Sequence, residues 1–319
     1  SAATGNEVEG WFVACPFTPQ RMMSLPPRMV YRKIIATARY AQRLGARLVG
    51  LGAYTSVVGD GGLTISRSVA CPVTTGDSLT VAMAVDAVWE AARRMEIDPA
   101  KATAAVVGAT GSIGAVSAEL LARRVPKLIL IGRRADRLAE VQSRCEAAGA
   151  RVFVTSELAA LREADLIITV TSALEAIIEP EHLKPGAVVC DVARPRDVSV
   201  HVARQRNDVL VFEGGMVEAP GEPDFHFDFG FPPRMVYACM AETMTLALER
   251  RYESYTLGKE LTLEQVEEIR QLALQHGFKL GGFRSFEHAV PDDLIERIKR
   301  QAFQQRGRQP VFQAVSLAR

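Results

Sequence analysis

Short, almost entirely apolar runs alternate with amphipathic stretches over the middle of the chain. Strands that are apolar throughout are buried on both faces, and their alternation with helices is typical of a parallel, doubly wound sheet. The predicted strands of this sheet are Ala104–Val107, Lys127–Ile131, Arg151–Val154, Asp165–Val170, Ala187–Asp191 and Val209–Phe212. The predicted helices between them are Ser112–Arg124, Ala135–Ala148 and a short one near Leu158–Glu163.

The flanking segments are predicted to mix short strands with longer helices. Proline is tolerated in a first helical turn, so Pro26 and Pro232 are each expected to start a helix, the second reaching about Tyr252. Both prolines begin the same six residues, which recur unchanged at 26–31 and 232–237. The remaining predicted elements are strands at Trp11–Cys15 and Ala46–Leu51, and helices at Asp77–Met95, Thr262–His276 and Asp292–Gln305.

The composition is that of an ordinary globular protein. The 319 residues are 48% hydrophobic and 24% charged, with a net charge of +1, which excludes disordered and collagen-like classes and a basic nucleic-acid binder. No apolar run approaches the ~18 residues that span a bilayer, and the first ten residues carry no signal-peptide pattern. Five scattered cysteines without a CxxC pair suit a reducing compartment and argue against a metal site. We therefore expect a cytoplasmic protein with no metal and no transmembrane segment.

A glycine-rich loop between the first strand of the sheet and the following helix is the strongest local signal. Gly108 permits the tight turn, Gly111 lets the backbone approach a pyrophosphate, and Gly114 lets helix and strand pack closely. The amides at the helix N-terminus can then hold the phosphates. The predicted dinucleotide-binding residues of this loop are Gly108, Thr110, Gly111, Ser112, Ile113 and Gly114.

The end of the second strand indicates which dinucleotide is bound. An NAD enzyme usually has a carboxylate there, whereas this chain has Arg133 and Arg134, which suit a 2′-phosphate. The sequence therefore predicts NADPH, with Thr171 and Ser172 on the nicotinamide side. The predicted domains are an N-terminal substrate-binding region (1–100), an NADP-binding Rossmann domain (101–230) and a helical region (231–319) that packs back on the N-terminal part.

Cys239 is the side chain with the most distinctive chemistry. A thiolate that attacks an activated acyl group forms an acyl-enzyme, which hydride from NADPH would reduce to an aldehyde. Spacing alone favours a core cysteine, because Val236, Met240 and Thr243 share its face of the predicted helix. Since that helix is expected to start near Pro232, Cys239 would lie about two turns inside it and gain little from the helix dipole.

Five motifs together resemble the cyanobacterial-type long-chain fatty acyl–acyl-carrier-protein reductases, which form aldehydes. The resemblance covers most of residues 9–280 and implies NADPH, an acyl carrier protein or coenzyme A thioester as substrate, and Cys239 as the acylated nucleophile. The same resemblance implies a second, substrate-binding α/β region completed by C-terminal helices. The motifs are Thr74–Ser78, Gly108–Gly114, Gly214–Glu218, Ala238–Glu242 and His276–Phe278.

Two loops and four single side chains are candidates to support this chemistry. An oxyanion stabiliser is required, and the loops that could supply it also read as plain structural turns. The loop residues are Thr75, Gly76, Ser78, Gly214 and Gly215. Candidate polar partners of the thiol are His276, Tyr54, Thr75 and Ser78.

An arginine stripe along the predicted helix from Pro26 is the candidate carrier-binding surface. Acyl carrier proteins are acidic, so such a stripe could dock one, although a solvated helix face explains it equally simply. The stripe consists of Arg28, Arg32, Arg39 and Arg43.

Two alternatives to the acyl-thioester reductase stay open. One is a shikimate-dehydrogenase-like reductase of a small hydroxy or keto acid, with no covalent step. The other is a non-catalytic NADP-binding module. The order of an α/β substrate region, a Rossmann domain and a returning helix would serve the acyl-thioester reductase and the shikimate-dehydrogenase-like reductase alike.

Overall fold

The computed structural model describes residues 1–228 and 230–306. Its strands are β1 (Val49–Gly50), β2 (Val73–Thr74), β3 (Thr103–Val107), β4 (Lys127–Ile131), β5 (Arg151–Thr155), β6 (Leu166–Thr169), β7 (Val188–Asp191), β8 (Leu210–Glu213), β9 (Met216–Glu218), β10 (Met235–Tyr237), β11 (Lys279–Leu280), β12 (Arg284–Ser285) and β13 (His288–Ala289). Its α-helices are α1 (Pro19–Ser24), α2 (Pro27–Leu44), α3 (Tyr54–Val57), α4 (Leu63–Ser66), α5 (Asp77–Arg94), α6 (Ser112–Ala122), α7 (Ala135–Ala147), α8 (Val200–Gln205), α9 (Ala238–Leu248), α10 (Leu263–His276) and α11 (Asp292–Arg306).

Six parallel strands form the central sheet in the order β5-β4-β3-β6-β7-β8. The order reverses between β3 and β6, because Ala104 pairs with Leu128 of β4 on one side and with Leu166 of β6 on the other. In such sheets, ligands bind in the crevice outside the carboxyl ends of the strands at the reversal point. The predicted α/β fold class, with a doubly wound parallel sheet, is confirmed.

Helix α5 lies between the sheet and the C-terminal helices and is buried along most of its length. Its Ala84, Val88 and Ala91 belong to the apolar core over the sheet. Its Leu79 and Val81 belong to a second core built with α9, α10 and β9. Many of the buried residues of α5 are alanines, so both the sheet and the C-terminal helices can approach it closely.

A smaller unit precedes α5. Its longest element is α2, whose buried face consists of Val30, Ile34, Ala38 and Ala41, as the sequence pattern predicts. The two short parallel strands β1 and β2 pair through Val49 and Val73. Strand β2 leads into α5 and thereby connects this unit to the sheet.

The strand predicted at Trp11–Cys15 is absent from the structure. The segment has no regular secondary structure and exposes Trp11 and Phe12, because no neighbouring strand pairs with it. Phe12 instead contacts Phe225, with ring centroids 6.1 Å apart.

The prediction of one long helix from Pro232 to Tyr252 is also wrong. Residues Met235–Tyr237 form β10, which pairs antiparallel with β9, and α9 begins only at Ala238. The identical residues 26–31 lie at the start of α2 instead. The difference arises before the strand, where Arg234 has a φ of +69° and pairs with Glu218 at 2.9 Å. Tertiary pairing therefore overrides the local preference of these six residues.

The C-terminal helix α11 packs beside the sheet. Lys299 forms an ion pair of 2.8 Å with Glu96, and Arg306 Nε donates to the carbonyl of Pro185 at 3.0 Å. Residues 307–319, the end of the predicted helical region, lie outside the described part. Within the residues described, none of the helices has the length and apolar character needed to cross a bilayer.

Candidate active site

The N-termini of three helices meet at one place, where α5 begins at Asp77, α6 at Ser112 and α9 at Ala238. A Cβ added to Gly76 would lie 2.3 Å from the Cα of Cys239, so α5 and α9 are in backbone contact. The hydroxyl of Ser112 donates to Asp77 Oδ2 at 3.1 Å, which connects α5 to α6. The predicted nucleophile and the predicted cofactor loop are therefore joined through two adjacent residues.

Cys239 is the second residue of α9 and is half-buried. The expectation that it lies two turns inside a helix is wrong, since β10 replaces the first part of that helix. The backbone amides of Cys239 and Met240 favour the thiolate, as expected at a helix N-terminus. Burial and the negative charges of Asp77 and Glu242 oppose them and raise the pKa of the Cys239 thiol to about 12. At neutral pH the cysteine is therefore a thiol that must lose a proton to react.

Glu242 lies one turn after Cys239 and is fully buried, at 0% exposure. It accepts from the hydroxyls of Thr74 at 2.5 Å and Thr256 at 2.7 Å, and from the Leu79 amide at 2.9 Å. Burial raises the pKa of Glu242, and these donors counteract the rise only in part. The Leu79 bond closes the N-terminus of α5, which has no side-chain cap of its own. Glu242 thus fixes the start of α5 against α9.

Asp77, at the start of α5, is a functional candidate that we did not single out from the sequence. Burial, followed by the charge of Glu242, raises its pKa to about 7, while the Ser112 hydroxyl bond lowers it. A carboxyl group that titrates near neutral pH beside a nucleophile is suited to proton transfer. The sequence feature that could have indicated Asp77 is its position directly after Gly76, in the same motif as the candidate oxyanion residues.

The first of the two predicted substrate loops lies against the cysteine. Thr75 is 2% exposed, and its hydroxyl makes no hydrogen bond of full geometry but lies near enough to Asp77 to lower the pKa of that carboxyl. Ser78 is bonded to the Thr256 hydroxyl at 2.9 Å, and Gly76 packs on Cys239. The oxyanion role of this loop stays a prediction.

The second predicted loop, Gly214–Gly215, anchors the start of α9. The Gly215 carbonyl accepts from the Ala238 amide at 2.8 Å. The Gly214 amide is already engaged, since it donates to the Asp191 carbonyl at 2.8 Å. The structure therefore gives this loop a clear role in positioning α9, while its predicted contact with substrate is untested.

His276 and Tyr54 are the other two candidate partners of the thiol. His276 is 1% exposed and bonds Glu249 at 2.6 Å and the Ser1 hydroxyl at 2.7 Å, so it is occupied elsewhere and is not a surface residue. Tyr54 is 4% exposed, and its hydroxyl has no partner. Burial and the charge of Asp197 raise the pKa of Tyr54, which places this phenol near the carboxyl end of the sheet.

The glycine loop has a shape that fits a dinucleotide. A Cβ on Gly108 would lie 2.4 Å from the Val170 carbonyl, and one on Gly114 would lie 2.3 Å from the Gly108 carbonyl. At Gly111 the nearest atom would be 3.4 Å away. The loop is therefore closely packed at Gly108 and Gly114 and less crowded at Gly111. Helix α6 has no side-chain cap, which leaves the first-turn amides from Ser112 to Gly114 for a phosphate.

The remaining predicted cofactor residues surround this loop. Arg133 and Arg134 are exposed at the end of β4, and Arg134 donates to the Thr110 carbonyl at 2.7 Å. Thr171 follows β6 and donates from its hydroxyl to the buried Asp197 at 2.5 Å, while Ser172 is exposed. The placement of these side chains around the crevice fits the proposed cofactor, and their binding roles stay predictions. Among the described residues, no group of three or more His, Cys, Asp or Glu side chains could hold a metal ion.

Comparison with known proteins places this site in a family. The family model described as "Shikimate / quinate 5-dehydrogenase" matches residues 90–213. This range contains the parallel sheet and ends before Cys239. The aminotransferase PigE of a Serratia species is 30% identical over 307 residues, which is 94% of this chain. The chain spans only 36% of the length of that relative. The structure of L-tryptophan dehydrogenase from Nostoc punctiforme matches with a TM-score of 0.42 and 16% identity, over 88% of this chain and 74% of that one.

A second curated relative also covers most of the chain. The long-chain acyl-[acyl-carrier-protein] reductase of Synechococcus elongatus is 30% identical over 294 residues, which is 88% of this chain and 84% of that protein. With the dehydrogenase match to the sheet, it confirms the prediction of an NADPH-dependent oxidoreductase. The chain belongs to the long-chain acyl-[acyl-carrier-protein] reductase family.

Proposed function

We propose that this protein reduces a long-chain acyl thioester to an aldehyde through a thioacyl intermediate on Cys239. The observation that carries the proposal is the junction of three helix N-termini, where Gly76 packs on Cys239 and Asp77 bonds Ser112 of the cofactor loop. Two adjacent residues, Gly76 and Asp77, thereby contact Cys239 and the dinucleotide loop respectively. A direct-hydride reductase needs no cysteine at this junction.

The residues of the site divide the chemistry between them. Cys239 attacks the acyl carbon, the Sγ–C bond forms, and the carrier thiol leaves. We assign to the buried Thr75 hydroxyl, next to Gly76, the donation of a hydrogen bond to the acyl oxygen as charge develops on it. The loop from Gly108 to Gly114 holds the pyrophosphate, and Arg133 and Arg134 contact the 2′-phosphate. NADPH, when bound, supplies the hydride that converts the thioacyl group to the aldehyde.

Residues outside the sheet form the acyl-binding part in this proposal. We assign the substrate region to 1–100 and to the helices after residue 230, and the cofactor to 101–230. Core contacts among α5, α9 and α10 support this division, because these helices form one apolar cluster next to Cys239. The exposed arginine stripe on α2 supports an acyl carrier protein as the carrier, while coenzyme A stays the alternative.

The test is intact mass spectrometry after incubation with palmitoyl-coenzyme A or palmitoyl–acyl carrier protein in the absence of NADPH. We expect a single acyl adduct that peptide mapping places on Cys239, and that disappears as aldehyde forms when NADPH is added. Cys239→Ser should bind NADPH and form neither adduct nor aldehyde. Cys15→Ser, which removes another partly exposed thiol, is the matched control and should behave like the wild type. Aldehyde formation by Cys239→Ser would contradict the proposal.

A further inference from the structure

The thiol of Cys239 needs a proton acceptor, and the site supplies few candidates. Glu242 is fully buried and holds donors from Thr74, Thr256 and Leu79, so its oxygens are committed to the loop. His276 is bonded to Glu249, at the opposite end of α9 from Cys239. The exchange of one thioester for another nonetheless moves a proton from the attacking thiol to the departing one.

Asp77 has the position that this transfer requires. It follows Gly76, which is in backbone contact with Cys239, and its charge is the largest influence on the Cys239 thiol after burial itself. The charged groups that act on this pair come from α5 and α9, namely Asp77 and Glu242, while α6 contributes the neutral hydroxyl of Ser112. That hydroxyl holds Oδ2 of Asp77 and so fixes the carboxylate at the junction.

We propose that the Asp77 carboxylate accepts the proton of the Cys239 thiol during thioester exchange and passes it to the departing carrier thiol. The S–H proton moves to Asp77 as the Sγ–C bond forms and the acyl oxygen takes up the electron pair. The bond from carbon to the carrier sulfur then breaks, and Asp77 protonates that sulfur. No redox change occurs in this half-reaction, so the transfer proceeds before any hydride is delivered. The inference rests on the proposed acylation of Cys239.

Two reactions of the same sulfur distinguish this role from a purely electrostatic one. Removing the Asp77 charge lowers the pKa of the thiol and so speeds alkylation of Cys239 by iodoacetamide, by about threefold or more at pH 8. If Asp77 is the proton acceptor, Asp77→Asn slows acylation by palmitoyl-coenzyme A about 100-fold. The two rates then change in opposite directions. If the Asp77 carboxylate only raises the pKa of the thiol, both alkylation and acylation should be faster in Asp77→Asn than in the wild type.

The experiment measures both rates on Cys239 by peptide mass spectrometry, without NADPH, across pH 5.5 to about 9. In the wild type, acylation should rise with pH and level off above about 7, where Asp77 is ionised. Alkylation should keep rising, because the thiol titrates much higher. Asp86→Asn is the matched control, since it removes the same charge from α5 at a residue paired with Arg270. It should leave both profiles unchanged.

Each result has a definite meaning. Acylation by Asp77→Asn at the wild-type rate, or faster, would overturn the inference and leave the proposed function standing. A wild type that alkylates at Cys239 but never acylates would overturn the proposed function, and the inference with it. Should Asp77→Asn fail to fold, the wild-type comparison still decides, because an acylation profile that follows alkylation without levelling off overturns the inference.

Discussion

The carboxylate of Glu242 accepts the backbone N–H of Leu79 at 2.9 Å and thereby closes the N-terminus of α5 from another helix. The two residues are 163 positions apart. Glu242 therefore joins the segment before the sheet to the segment after it, one helical turn from Cys239.

Glu242→Ala should be strongly destabilising. It leaves the Leu79 amide and the hydroxyls of Thr74 and Thr256 buried without an acceptor, and we expect the free energy of unfolding to fall by about 3 kcal/mol. Urea denaturation followed by circular dichroism measures this. Glu146→Ala on α7, where the side chain is exposed, should change stability by less than about 0.5 kcal/mol. Equal stability of the two variants would show that the buried bonds are not needed.

Asp77→Asn should reduce the loss of stability with rising pH. The folded pKa of Asp77, about 7, lies above its ordinary value of 3.8. The folded state therefore binds more protons at Asp77 in this window, so the stabilising contribution of Asp77 is fully present below about pH 4 and is lost as the pH rises through 7. Asp191, whose pKa burial raises to about 6, contributes over an overlapping range. The variant should thus have a shallower slope, and urea titrations at pH 5 and 8 would reveal an unchanged slope if the prediction is wrong.

Gly76→Ala should disrupt the junction. The added Cβ would lie 2.3 Å from Cys239 Cα, at a residue whose φ is +76°. We expect at least about a 100-fold loss of aldehyde formation, because small displacements of reacting groups are costly. Gly149→Ala is the matched control, since its φ is +112° and its Cβ would meet nothing within 4 Å. That control should cost about 1 kcal/mol of stability and leave the turnover number unchanged. Comparable activity in the two variants would argue against a close approach at Gly76.

Arg43→Glu should weaken the use of an acyl carrier protein. Arg43 is exposed on α2 and lines a shallow groove with Arg32 and Arg39. The KM for palmitoyl–acyl carrier protein should rise about tenfold, and the effect should shrink with added salt. The KM for the uncharged palmitoyl-N-acetylcysteamine should stay the same. Arg204→Glu, exposed on α8, is the charge-matched control; an equal effect there would point to net charge rather than to a docking surface.

The two arginines after β4 should separate in their effects on cofactor use. Arg133→Ala should raise the KM for NADPH about tenfold and leave that for NADH unchanged, since only the 2′-phosphate contact is lost. Arg134→Ala should raise both, because Arg134 also holds the Thr110 carbonyl at 2.7 Å. Steady-state kinetics with the two cofactors tests this. Identical effects of the variants on NADH would contradict it.

The cofactor loop was predictable because its determinants are local. Gly108 and Gly114 lie within one strand–turn–helix unit, and Gly114 packs on the Gly108 carbonyl of that same unit. The sheet was predictable for a similar reason, because Lys127–Ile131 and its partner strands are short apolar runs between helices. Patterns of this kind can be read from one sequence.

The arrangement around Cys239 was not predictable, because it depends on distant pairings. The bond from Ser112 to Asp77 spans 35 residues, and nothing in either segment specifies the other. The position of Cys239 at a helix N-terminus depends on β10, and β10 exists because β9 pairs with it. The proposal that Cys239 is the nucleophile thus rests on family resemblance, while the description of its environment rests on the fold.

The two copies of the six-residue segment show which contacts determine the position of Cys239 in its helix. Residues 26–31 enter a helix, so the identical residues 232–237 contain nothing that prevents α9 from starting earlier. Pairing of Met235 and Tyr237 with β9 prevents it, and the Gly215 carbonyl then receives the first amide of α9. The position of the thiol beside helix-terminal amides thus depends on the pairing of β10 with β9. The environment of this cysteine therefore depends on β9, which belongs to a different motif, Gly214–Glu218, from the one that contains the cysteine itself.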